Sequence, residues 1–193
     1  MSALMWVSPS KRPLKPDELR HALAEIGSPS FNTDNVPSMG TLLTCCQGLI
    51  TMDKEASTVR LIHFTLQEHL RVHLEHFGTA HSVMTETCLS YLNSQQVKAL
   101  STRPHPNLRT TPFLKYSSLY WGMHAKRGLS DCAKLLALKL FDDYNNHIST
   151  KILLKAQGYP YSINFDKLFL FNGLHCASIF GIDEIAATVL GEK

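Results

Sequence analysis

The 193-residue sequence contains no Gly-x-Ser-x-Gly elbow, no Gly-x-x-x-x-Gly-Lys-Ser/Thr loop and no Cys-x-x-Cys pair. The first absence removes the usual strand–turn–helix signature of a serine hydrolase. The second means that the chain does not cradle a triphosphate by itself. The third, with an odd total of five cysteines, argues against a disulfide framework and against a zinc site. Cys45 and Cys46 are adjacent and, like Cys88, fall on predicted helices, where a thiol serves as a small core hydrophobe. Long apolar runs are also missing, so no stretch reaches the roughly 18 residues of a membrane span. The N-terminus, "MSALMWVSPSKR", places its apolar residues before its basic ones, the reverse of a secretory signal. A reduced, cytoplasmic setting without membrane contact is the expectation.

What is present is an ordinary globular composition, 44% hydrophobic and 18% charged. Its formal charge of +3 is unevenly spread. Residues 1–77 hold seven Lys/Arg against eight Asp/Glu, net −1; residues 78–165 hold ten against four, net +6; residues 166–193 hold two against four, net −2. These shifts coincide with three expected segments: a winged helix over 1–77, a helical connector over 78–165 and a partial first ankyrin repeat over 166–193.

The first segment rests on a run of local signals. "LKPDELRHALAEIG" reads as a helix, with Pro16, Asp17 and Glu18 suited to its first turn and Gly27 placed to stop it. Leu19, Ala22, Leu23 and Ile26 form one apolar face. A second helix is expected from Pro37 to Gln47, with Met39, Leu42, Leu43 and Cys46 on one side and Gly48 at its end. "LITM", the polar turn "DKEAS" and "TVRLIHF" read as a hairpin, with Val59, Leu61 and His63 alternating against Arg60, Ile62 and Phe64. Thr65 and Glu68 match a capping box, which places Thr65 at the N-cap of the next helix. Helix, helix, strand, turn, strand, helix is the order of a winged helix.

Beyond residue 77 the pattern is helical. Met84, Thr87, Cys88 and Tyr91 share one face; Phe113, Tyr116, Tyr120 and Trp121 anchor an aromatic-rich helix; Leu129, Ala133, Leu136 and Leu140 are in register on another; "HISTKILLKA" is a shorter one. The tail "GLHCASIFGIDEIAATVL" divides into two short helices at Phe180-Gly181-Ile182. It is similar to one ankyrin repeat: Leu174, His175 and Ala177 match the Leu-His-x-Ala opening, and Gly181, Glu184, Ile185 and Leu190 match the second helix. Asn172-Gly173 stands where Thr-Pro is usual. Leu174, His175, Gly181, Ile185 and Leu190 are the candidate interaction residues.

A DNA reader would carry cations on the second helix of a winged helix. From Val36 to Gln47 there is neither Lys nor Arg, and the wing is net −1. DNA binding is therefore the alternative rather than the leading reading. His69, His73 and His76 have metal-compatible spacing on one helix, but a metalloprotease needs Glu directly after the first histidine and here it is Leu70. A partly exposed polar face near the helix end, where imidazolium suits the negative dipole, is the favoured reading, and no metal or catalytic residue is expected.

The order "LMWVSPSKRPLKPDELRHAL", "VRLIHFTLQEHL", "CLSYLN", "PFLKYSSLYWGMHA" and "GLHCASIFGI" resembles fungal NACHT–ankyrin proteins, which are NOD-like, STAND-type signal-transduction NTPases. His63, Phe64, Gln67 and Glu68 match the family's hydrophobic-His-hydrophobic, Gln-Glu pattern, with His69 where an aromatic is common. The resemblance implies that His63 touches the β-phosphate of ADP bound in a preceding NTPase domain, while its strand alternation allows a core role instead. That NTPase core is absent from this chain, so ADP or ATP is implied for the missing domain and no cofactor for the chain itself. The expected fold is mainly α, a winged helix with a two-stranded wing, then a helical connector and an incomplete ankyrin-like helix pair. The expected role is that of a non-catalytic fragment whose partners are a NACHT domain, in cis or in trans, and further ankyrin repeats.

Overall fold

A computed structural model describes residues 2–25, 35–73, 79–101, 108–159 and 171–191. Its elements in chain order are α1 (Ser2–Val7), α2 (Pro16–Glu25), α3 (Met39–Cys45), β1 (Ile50–Asp53), β2 (Thr58–Leu61), α4 (Phe64–Val72), α5 (Ala80–Asn93), α6 (Gln95–Ser101), a 3₁₀ turn (Leu108–Thr110), α7 (Leu114–Ala125), α8 (Asp131–Phe141), α9 (Ile148–Ala156), α10 (Gly173–Phe180) and α11 (Asp183–Leu190). The fold is mainly α with one two-stranded antiparallel sheet.

The winged helix is assembled from short-range chemistry. In α2, Leu19 and Ala22 are fully buried. Glu18 closes the turn before them, taking a bidentate pair from Arg12 at 2.6 and 2.7 Å and the Lys15 N–H at 2.8 Å. The expected helix over 37–47 is shorter, because the Ser38 hydroxyl caps it by accepting the Thr41 N–H at 3.0 Å and because Gln47 and Gly48 turn to positive φ. The hairpin pairs Ile50 with Leu61 and Asp53 with Thr58. The Asp53 carboxylate closes its turn by accepting the N–H groups of Ala56 and Glu55 at 3.0 and 3.1 Å. Those bonds to the charged form hold Asp53 below the usual carboxylate range, with help from Arg60 at 3.2 Å. Leu14 adds a single antiparallel bridge to Val59, a third edge to the sheet.

One hydrophobic core runs from the winged helix into the helices that follow. Trp6 on α1 is fully buried, its ring edge-on to Phe113 at 5.4 Å and to Tyr116 at 6.2 Å. Phe113 also meets Tyr91 on α5 at 5.2 Å, so α1, α5 and α7 share an aromatic centre. The expected anchors Phe113, Tyr116 and Trp121 are buried, while Tyr120 is half-buried beneath the Arg12 guanidinium.

The terminal helix pair docks on this body. Phe180 lies edge-on to Trp121 at 5.2 Å and leans on Gly122, where an added Cβ would sit 2.2 Å from the Phe180 ring. Phe141 makes the same approach to Gly173. The Cys176 thiol bonds the Tyr144 hydroxyl at 3.0 Å, and Lys134 on α8 bridges Asp131 at 3.1 Å and Glu184 at 2.5 Å. A lone helix pair that cannot bury its own apolar face thus finds cover on α7 and α8. Gly181, at φ +61, makes the left-handed turn between its two helices. Gly27, His76 and most of "SPSFNTDN" lie outside the described residues.

Candidate functional site

β2 ends at Leu61, three residues before the end of the expected alternating run, and this relocates His63. Val59 and Leu61 point into the core, whereas His63 and its neighbours Ile62 and Phe64 are exposed, the latter two at 59% and 70%. The expectation that His63 shares the buried face is corrected by the chain's turn into α4.

The expected capping box is corrected as well. The N-cap of α4 is His63, not Thr65. In extended conformation (φ −141°, ψ 146°), His63 accepts the Thr65 N–H on Nδ1 at 3.2 Å, and the Thr65 hydroxyl lies 2.8 Å from the same nitrogen. An Nδ1 that accepts a backbone N–H carries no proton, so neutral imidazole must hold its proton on Nε2. Among the described residues Nε2 has no partner. The junction therefore presents one oriented N–H donor, flanked in the chain by exposed Ile62 and Phe64, the Phe64 ring 5.2 Å from the imidazole.

The other sequence candidates lie elsewhere, on α10 and α11. His175 is exposed but committed: it completes a capping box in which the Asn172 carboxamide oxygen accepts the Leu174 and His175 N–H groups. Asn172 thereby supplies the cap that Thr-Pro would otherwise start. Ile185 is 1% exposed and belongs to the core, which corrects its assignment as a contact residue. Leu190, at 58%, and Val189 are exposed on α11, while the exposed Ile179 on α10 lines a cleft with Phe180. The His69 and His73 rings lie 4.5 Å apart, tilted by 51°, and among the described residues no three His, Cys, Asp or Glu side chains group to hold a metal.

Sequence reasoning missed a buried polar chain. His81 on α5 and His124 on α7 meet Nδ1 to Nδ1 at 3.0 Å, and His124 Nε2 meets the Tyr116 hydroxyl at 3.0 Å. Burial, and then His81 and the cations Lys11 and Arg127, push His124 down to about 3; burial pushes the Tyr116 hydroxyl well up. Both groups stay neutral and act as fixed hydrogen-bonding elements. His81 and His124 are 43 positions apart, and neither carries a local motif.

His147 repeats the His63 geometry in the interior. It caps α9, accepting the Ser149 N–H on Nδ1 at 3.2 Å, but its Nε2 meets the Leu92 carbonyl at 3.1 Å. Burial pushes it down to about 4. The His-x-Ser/Thr spacing common to 63–65 and 147–149 is the signal that could have identified both caps.

The family model for the winged helix domain of GPI inositol-deacylase matches residues 1–82. Residues 1–82 are a winged helix. The match takes in α1 through α4 and enters the first turn of α5. No curated protein and no solved structure matches the chain. Among the described residues no helix is long and apolar enough to cross a membrane.

Proposed function

We propose that the chain is a non-catalytic regulatory and interaction module that couples a nucleotide switch to an ankyrin-type sensor array, as in the NACHT–ankyrin proteins it resembles. The observation that carries this reading is the His63 cap. Its Nδ1 is tied to Thr65, its Nε2–H faces outward, and exposed Ile62 and Phe64 stand beside it. An oriented N–H donor flanked by two exposed apolar side chains suits the edge of a nucleotide-binding domain, where it would meet a phosphate oxygen in a partly desolvated contact. The apolar residues would supply the contact area. The partner is a NACHT NTPase domain carrying ADP, in cis or in trans, in the cytoplasm. The exposed Val189 and Leu190 at the end of α11 would meet the next ankyrin repeat.

The winged-helix match does not carry the reading toward deacylation, since it covers residues 1–82 alone and the sequence has no nucleophile elbow. DNA binding is disfavoured by the cation-free α3, whose outward residues are Gly40, Thr41, Thr44 and Cys45.

The test is ADP release from a NACHT domain with this chain supplied in trans. The wild-type chain should slow release and His63→Ala should not. Equal release rates with wild-type and variant chains would remove the proposed contact. Fluorescence anisotropy with duplex DNA is the companion measurement, and tight binding with a steep salt slope would replace this reading with the DNA one.

A further inference from the structure

A cleft of about 530 Å³ opens between the segment after α1, helices α7 and α9, and the end of α10. Its walls are of two kinds. Lys11, Lys126 and Arg127 bring three cations, and no carboxylate lines the cleft. Leu119, Met123 and Phe180 bring apolar surface. Among the described residues none of the three cations forms an ion pair, although Arg12, adjacent to Lys11, is fully paired with Glu18. Burial, then repulsion from Arg127, lowers Lys11, as expected for crowded cations lacking a counter-charge.

Tyr116 accepts the Lys11 backbone N–H at 3.4 Å and meets His124 Nε2 at 3.0 Å, which ties the Lys11 backbone to the polar chain. Lys11 and Arg127 both act on His81 and His124 electrostatically. Positive charge thus accumulates in one region without a counter-charge, beside a wall of hydrocarbon.

We infer that this cleft binds a small amphiphilic anion, a phosphate-bearing molecule with a hydrocarbon body, its headgroup between Lys11 and Arg127 and its apolar part along Leu119, Met123 and Phe180. The volume suits one small molecule. A bare anion would satisfy the cations and leave the apolar wall wet; a neutral apolar molecule would cover the wall and leave the cations unpaired. The inference is independent of His63 and of any NTPase domain.

Calorimetric titration of the full chain tests it with octyl phosphate below its micelle concentration and with inorganic phosphate as the control. Octyl phosphate should bind at least about tenfold more tightly, because burying a few methylenes is worth that much. The double change Lys11→Gln with Arg127→Gln should weaken octyl phosphate by tenfold or more. Met123→Ser should weaken octyl phosphate while leaving inorganic phosphate unchanged. Arg127 and Met123 are exposed, and unchanged thermal unfolding of the variants verifies that they fold. Octyl phosphate binding that is no tighter than inorganic phosphate, or that is indifferent to the double change, would overturn the site. Vesicles of phosphatidylcholine with and without phosphatidic acid separate the sources. Binding to monomer and to anionic vesicles assigns a lipid headgroup, and binding to monomer alone assigns a soluble ligand. Binding to vesicles alone overturns the cleft in favour of surface adsorption.

Discussion

His63 and His147 do the same local job in two different places. Each precedes a helix, each sits two residues before a hydroxyl residue, and each accepts that residue's N–H on Nδ1 at 3.2 Å. His147 then uses its second nitrogen on the Leu92 carbonyl and is sealed in the core. His63 has no second partner among the described residues and stands at the surface. One imidazole has both nitrogens occupied by the fold; the other has one nitrogen fixed and one available. A capping histidine can therefore be structural or a poised donor, and what decides is whether a carbonyl lies opposite Nε2.

The largest way to break the comparison is to delete both side chains in turn. His147→Ala removes a buried cap, orphans the Leu92 carbonyl and leaves a cavity, so it should cost roughly 3 kcal/mol in urea unfolding. His63→Ala removes an exposed cap and should cost about 0.5–1 kcal/mol. Equal costs would erase the distinction.

Acid should act through the buried member. Because His147 titrates at about 4 when folded, well below its unfolded value, the unfolded chain binds the proton first. The stability it contributes is full above the unfolded value near pH 6.5 and is lost as pH falls toward 4, with His124 extending the loss toward 3. His147→Asn keeps a side chain able to cap and removes the titration, so it should flatten the part of that slope lying above about pH 4. An unchanged slope would mean that His147 does not stay neutral.

A smaller effect separates the docking of the terminal pair from both caps. Gly122→Ala places a methyl against the Phe180 ring and should cost about 1–3 kcal/mol by overpacking. It should leave any response of ADP release to His63 unaltered. Loss of that response would couple the two ends of the molecule.

The winged helix was legible because its signals are local: the Leu19/Ala22 face, the Asp53 turn and the Val59/Leu61 alternation each lie within a few residues. The aromatic anchors of α7 were legible for the same reason. Alternation left His63 open between a core and a contact role because it carries no information on where a strand stops, and the cap fell on Thr65 because capping rules are written for Ser, Thr, Asp and Asn. Thr65 satisfied those rules, yet its N–H is a capped group and not the cap. Trp6 and α1 left no local trace of their role, since the partners Phe113 and Tyr116 lie more than a hundred positions away. Ile185 matched the second helix of an ankyrin repeat and was a candidate contact, but docking of the pair on α7 and α8 makes it core.

The most direct measurement is the exchange of the two imidazole N–H protons, followed by ¹H–¹⁵N spectra of the histidine side chains at neutral pH. Both residues should show the tautomer with the proton on Nε2. The His147 proton, bonded to Leu92, should exchange slowly with water, and the His63 proton should exchange fast. A His63 proton found on Nδ1, or protected as well as that of His147, would contradict the claim that His63 is a fixed and available donor.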